Sequence, residues 1–141
     1  MKKYILLLAL SLILICCSCQ PAAEKTSNTM DAVSCHSMSF GNKTIQNIWV
    51  ILYQEEAPNF ESCANEIIQH CVNNDFHTIH FSTDVHGYPV EINATVYLNR
   101  DDFENGDSLF SMSYTQPDEA NFEYDIVNNP EMFSLIIKEN K

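Results

Sequence analysis

Residues 59–74 read NFESCANEIIQHCVNN, and what this stretch becomes decides what the rest of the chain can be. Phe60, Ala64, Ile67, Ile68, Cys71 and Val72 recur at helical spacing, while Glu61, Glu66, Gln69 and His70 fall on the other side. Asn59 stands where an N-cap accepts the first free N–H groups, and the Asn73–Asn74 pair supplies a stop. The spacing predicts one amphipathic helix with a single apolar stripe. Such a helix needs a surface to cover.

The flanks supply it. Upstream, Ile45 to Tyr53 is apolar and β-branched on both parities, which predicts a central strand, and QEEAPN (54–59) breaks it. Downstream, HTIHFST (77–83) alternates, DVHGYP (84–89) turns, and Val90, Ile92, Ala94, Val96 and Leu98 point one way along a half-buried strand, so a hairpin is expected here. NRDDFENGD (99–107) reads as a polar connection, and SLFSMSY (108–114) alternates again with Phe110, Met112 and Tyr114 on one face. TQPDEA (115–120) turns and FEYDIV (122–127) reads as a short strand. Asn129 with Pro130 suits the start of a final helical segment, while FSLIIK (133–138) suits a strand equally well. The expected fold is therefore α+β: one antiparallel sheet, in the order strand, helix, meander, packed on a single main helix.

That order resembles the cystatin topology, and Val85-x-Gly87 matches part of the glutamine-x-valine-x-glycine loop of cystatins. Thr83 stands in place of the glutamine, and no tryptophan follows Pro117 in the second loop. The resemblance extends to an arrangement of elements and not to protease inhibition.

The N-terminal end carries a different signal. Lys2 and Lys3 precede an apolar run from Tyr4 to Ile15, too short at about a dozen residues for the roughly 20 that a membrane-spanning helix needs. The run closes on CCSC (16–19), which resembles the lipobox of bacterial lipoproteins, where a small residue precedes the cysteine that is acylated and becomes the mature N-terminus. Ser18 before Cys19 fits that pattern, although Cys16 stands where the family usually has Leu; Cys17, with Leu14 three residues before it, is the second choice. The resemblance implies a signal peptide over 1–18, lipidation at Cys19 and a bacterial cell-envelope, extracytoplasmic location. Two or three acyl chains anchor stably where one is marginal. Residues 19–39, polar and without apolar periodicity, then read as a flexible tether, leaving 40–141 as one small domain.

Charge narrows the function. Removing 1–18 leaves five basic side chains against nineteen acidic ones, a sign that opposes phosphate backbones and anionic headgroups and excludes a nucleic-acid role. The partners expected are the membrane, through the lipid, and an envelope protein or other cationic partner.

Cys63 and Cys71 lie eight residues apart on the helix, about 12 Å, and cannot bridge each other. Cys35 with Cys63 is the candidate disulfide. His77, His80, Asp84 and His86 do not converge on an extended strand, and the acidic 99–107 segment puts Arg100 where a calcium loop needs its first ligand, so neither a metal nor a cofactor is expected. No catalytic motif is present. The chain reads as a non-catalytic binding or interaction module, with an inhibitor or immunity-type antagonist and a small hydrolase or metal-dependent enzyme with a loop-assembled site as alternatives. In a meander the turns at 84–89 and 115–120 share one end of the sheet, which makes His86, Tyr88, Gln116, Asp118 and Glu119 the expected binding residues.

Overall fold

A computed structural model describes residues 30–140 of the chain. Five strands form one sheet in the order β1-β2-β3-β4-β5: β1 (Asp31–Phe40), β2 (Lys43–Ile51), β3 (Pro89–Tyr97), β4 (Phe110–Thr115) and β5 (Ser134–Glu139). Between β2 and β3 runs the main helix α1 (Phe60–Asn73), followed by a single turn α2 (Thr83–His86); α3 (Arg100–Asn105) links β3 to β4. The fold is α+β, with one sheet on one main helix.

The helix begins and ends where its sequence dictates. Asn59 Oδ1 accepts the Ser62 N–H at 2.9 Å, and Asn74 closes the last turn in the left-handed region at φ 54°. Its stripe of Cys63, Ala64, Ile67, Ile68 and Cys71 is buried. The strand register lines up the matching surface. Cys35, Ile48, Ala94, Met112 and Ile137 make one row across all five strands, flanked by a row of Ala32, Val50, Val96, Phe110 and Glu139 and a row of Ser37, Gln46, Ile92, Tyr114 and Leu135. Phe60 at the helix start stacks on Phe110 with ring centroids 4.8 Å apart, so α1 begins over β4.

The opposite face carries a polar ladder across its middle, among Ile45, Trp49, Ile51 and Tyr97. Asn47 Nδ2 donates to the His36 carbonyl, Asn93 Nδ2 donates to Asn47 Oδ1, and Ser113 Oγ donates to Asn93 Oδ1 at 2.7 Å, a ladder that crosses four strands. Most side chains on this face of the three central strands stay half-exposed, while Ile51 and Tyr97 at its far end are buried.

Four expectations change. The sheet is mixed, because β2 and β3 are parallel: the chain leaves β2, crosses the face through α1 and returns to start β3 at the end where β2 started. Residues 77–83 form no strand and no hairpin. Their backbone groups are taken by side chains instead, with Asp31 accepting from the His77 and Thr78 N–H groups and Asn74 accepting from the Phe81 N–H while donating to its carbonyl. Phe76 and Phe81 are thereby drawn into the core. The expected tether gives way at Met30, since residues 31–40 pair with β2 as an edge strand. Residues 122–127 form turns and irregular chain in place of a short strand, and the 133–138 alternative is settled as β5, preceded by one 3₁₀ turn at Pro130–Met132. Within 99–107 the polar connection is itself α3, capped by Asn99 on the Asp102 N–H and closed by Gly106 at φ 80°. The expected signal peptide over 1–18 and the expected lipidation site Cys19 lie outside the described residues.

Candidate functional site

The helix covers only part of its face of the sheet. Toward the end where β1 turns into β2, the apolar rows give way to Ser37, Ser39, Thr44 and Gln46, and the chain after α1 folds over them from the other side. Between the two lies a hollow of about 410 Å³. The hairpin contributes Cys35, Ser37, Ser39, Thr44 and Gln46 to its wall, and the facing segment contributes Ile79, His80, Phe81, Ser82 and His86.

Gln46 is the centre of this wall. It is 4 % exposed, and its Oε1 accepts from Cys35 Sγ at 3.1 Å and from Ser37 Oγ. With the oxygen held by two donors, the amide nitrogen faces away from them, and among the described residues Nε2 has no acceptor. His80 is likewise oriented. Its Nδ1 donates to the Asn74 carbonyl at 2.9 Å, since a carbonyl oxygen only accepts, which leaves Nε2 as an acceptor in the neutral ring.

The thiol in this hollow is not a nucleophile in waiting. Burial raises the Cys35 pKa, with the Ser37 hydrogen bond opposing weakly, so the sulfur stays protonated near neutral pH. Burial and then Glu66 push Cys63 up to about 11, and burial raises Cys71 further, with Cys35 and Asp75 adding to it. All three thiols are free. The expected Cys35–Cys63 bridge is absent for a geometric reason. Cys63 sits one turn from Phe60, over β4, while Cys35 is on β1 three strands away, about 14 Å. Among the described residues no three His, Cys, Asp or Glu side chains form a group able to hold a metal ion.

The five residues expected to bind a partner do lie at one end, because Thr44 pairs with Pro89 and Glu91 with Thr115. They divide between the two faces of the sheet. His86 lines the hollow on the helix side, whereas Asp118 borders a smaller hollow with Glu91 and Thr115 on the polar side. Gln116 is a correction. It is 5 % exposed, and its amide donates to the Val90 and Tyr124 carbonyls while accepting from the Tyr124 N–H, so it pins the 117–124 loop to β3. Tyr88, Asp118 and Glu119 are exposed.

Three loops meet at this end. Lys43 Nζ donates to the Asn121 carbonyl, Phe40 packs edge-on against Phe122 with centroids 5.2 Å apart, and the Asn42 carbonyl lies 3.3 Å from where a Cβ on Gly87 would stand. Gly87 has φ +72°, so its backbone demands glycine, and the Asn42 carbonyl leaves little room for a Cβ there. Around them Phe40 (42 %), Val85 (69 %) and Tyr88 (42 %) remain exposed. Sequence reasoning missed Gln46, Ser37 and Ser39. Gln46 is a polar residue on the inward parity of an otherwise apolar strand, next to Asn47, which is the signal that could have found it; the two serines fall in the expected tether. No family model matches the chain, and neither a curated protein nor a solved structure shows significant similarity to it.

Proposed function

We propose that the chain is a non-catalytic binding module of the bacterial cell envelope, held to a membrane by a lipid on Cys19, that engages an envelope protein through the end of the sheet bearing Tyr88. The observation that carries this reading is the meeting of the β1–β2 tip, the 84–88 segment and the 117–122 loop with Phe40, Val85 and Tyr88 left exposed. Apolar and aromatic side chains on preformed loops, rimmed by Asp84, Asp118 and Glu119, match the anchor-and-rim anatomy of protein interfaces. The acidic balance favours a basic partner. Against catalysis stand the protonated thiols: the hollow that joins Cys35 with two imidazoles presents Cys35 bonded to an amide oxygen.

Two experiments test it. Cys19→Ala in cells should leave an unprocessed precursor or release the protein from membranes; a variant still membrane-bound at mature size moves the lipid to Cys17 or removes the anchor from the reading. A photo-crosslinker at Tyr88, compared with one at Asp101, should capture a basic envelope protein only from Tyr88. Binding of that protein should fall about tenfold on Tyr88→Ala, the effect of losing a buried anchor. Asp118→Asn with Glu119→Gln should chiefly slow association. Equal capture from Asp101, with no loss on Tyr88→Ala, places the surface elsewhere.

A further inference from the structure

We propose that the hollow between the β1–β2 hairpin and residues 79–87 is a binding site for a small uncharged polyhydroxylated ligand of the saccharide class, read by the free amide nitrogen of Gln46. This site adjoins the Tyr88 surface through His86 and Gly87, but the groups that read the ligand, Gln46 and His80, lie outside that surface.

Size comes first. At about 410 Å³ the hollow falls within the roughly 300–1,000 Å³ range of small-molecule sites. Next comes the donor that faces the hollow. Gln46 is almost fully out of solvent, its oxygen is occupied by Cys35 and Ser37, and its nitrogen lacks an acceptor among the described residues. Because no buried side-chain nitrogen or oxygen among the described residues is left unpaired, this nitrogen opens onto the hollow, where water or a ligand oxygen completes it.

Charge then selects the ligand. The wall contains no carboxylate and no ammonium or guanidinium group. A cation would find no counter-charge in the wall, and an anion would meet only imidazoles inside a chain of net charge −12. What the wall does offer is the Ser82 hydroxyl, which both donates and accepts, the Ser37, Ser39 and Thr44 oxygens as acceptors beside the hydrogen bonds they already make, and, among the described residues, an unpartnered donor on Gln46 and an unpartnered acceptor on the neutral His80 ring at Nε2. Ile79 and Phe81 add an apolar patch. A ligand hydroxyl also donates and accepts, and a sugar ring carries C–H faces between its hydroxyls. Neutral saccharides therefore satisfy the polar and the apolar parts of the wall together.

Cys35 supplies a built-in reporter, because it lines the hollow while Cys63 and Cys71 are buried in the core. The full-length protein is treated with iodoacetamide, a small neutral thiol reagent, and the rate of Cys35 modification is followed by peptide mass spectrometry. The probes are glucose, galactose and N-acetylglucosamine, with glucosamine and glucuronic acid as charged counterparts, each up to about 50 mM so that millimolar affinities register. At least one neutral sugar should slow Cys35 modification in proportion to occupancy, and the charged sugars should protect less. Gln46→Met, with folding checked by circular dichroism, should weaken that protection about two- to tenfold, the range for one neutral hydrogen bond. Protection by no neutral sugar overturns the proposal, as does equal protection by charged and neutral sugars. Both comparisons use the unmodified chain and hold even if Gln46→Met fails to fold. Tyr88→Ala should leave the protection unchanged, so failure here and failure of the protein-binding surface are separate results.

Discussion

Replacing Asp31 with alanine should cost this small domain a large part of its stability. Among the described residues Asp31 is the one buried carboxylate, and it stands at the first position of β1. Its Oδ1 accepts from the His77 N–H at 2.9 Å and the Thr78 N–H at 3.2 Å, and its Oδ2 accepts from the Thr78 hydroxyl. Hydrogen bonds to a charged group contribute about 1.5–3 kcal/mol each. His77 and Thr78 are exposed, so water replaces part of what is lost, and the expected cost falls to about 2–4 kcal/mol. At about 4–8 °C per kcal/mol for domains slightly smaller than this, Asp31→Ala should lower the melting temperature by on the order of 10–20 °C. Asp31→Asn keeps Oδ1 for both backbone groups and turns an amide toward a hydroxyl that can accept, so it should lose less than half as much. Thermal and urea unfolding followed by far-ultraviolet circular dichroism measures both. An Asp31→Ala protein melting within about 2 °C of wild type would show that β1 and the segment after the helix are not one cooperative unit. Equal loss from the asparagine variant would refute the assignment of most of the energy to acceptance by Oδ1 and place it on the charge.

Ile67→Asp places an unpaired charge on the fully buried stripe of α1 and should abolish cooperative unfolding, with a native-like melt removing the helix-on-sheet packing. Gln116→Leu strands three backbone groups and should destabilise by about 2–3 kcal/mol in urea; a change within about 0.5 kcal/mol would mean the 117–124 loop is held otherwise. The Cys63 proton is held more tightly in the folded than in the unfolded chain, so its contribution is fully present below pH 9.0 and lost as pH rises to about 11. Urea midpoints at about pH 8 and 10.5 should therefore fall further for wild type than for Cys63→Ala, and parallel falls would contradict the raised pKa.

Local pattern revealed α1 with both caps, and also β3 and β4, because each carries its whole signal within its own residues. β1 was hidden for the opposite reason. In DAVSCHSMSF the inward positions after the bulge are Cys35, Ser37 and Ser39, polar or small because they face a hollow and not the helix, so the strand shows no apolar alternation. HTIHFST failed in reverse: it alternates, yet Asp31 and Asn74 take its backbone hydrogen bonds before any strand does. The parallel pairing of β2 with β3 depends on where the crossover delivers the chain, which no window of sequence encodes. The same holds for the site, since Gln46 and His80 are 34 positions apart and meet only through that crossover.

The direction of β1 has an architectural consequence. The strand starts at Asp31 beside Ile51, in the row that continues to Tyr97, and finishes at Phe40 beside Lys43, next to the rows that lead to Pro89 and Tyr88. Chain arriving from the N-terminal side thus enters at one pole of the sheet, while the three meeting loops and the mouth of the hollow occupy the other. With a lipid on Cys19, eleven peptide steps precede Met30, a contour of at most about 40 Å. β1 itself then carries the chain about 30 Å further. If Cys19 is lipidated as proposed, the attachment to a bilayer would be made from the entry side of the sheet, within reach of about 40 Å. An edge strand that contributes little to the apolar core would then be the segment that joins the proposed anchor to the loops at the opposite pole.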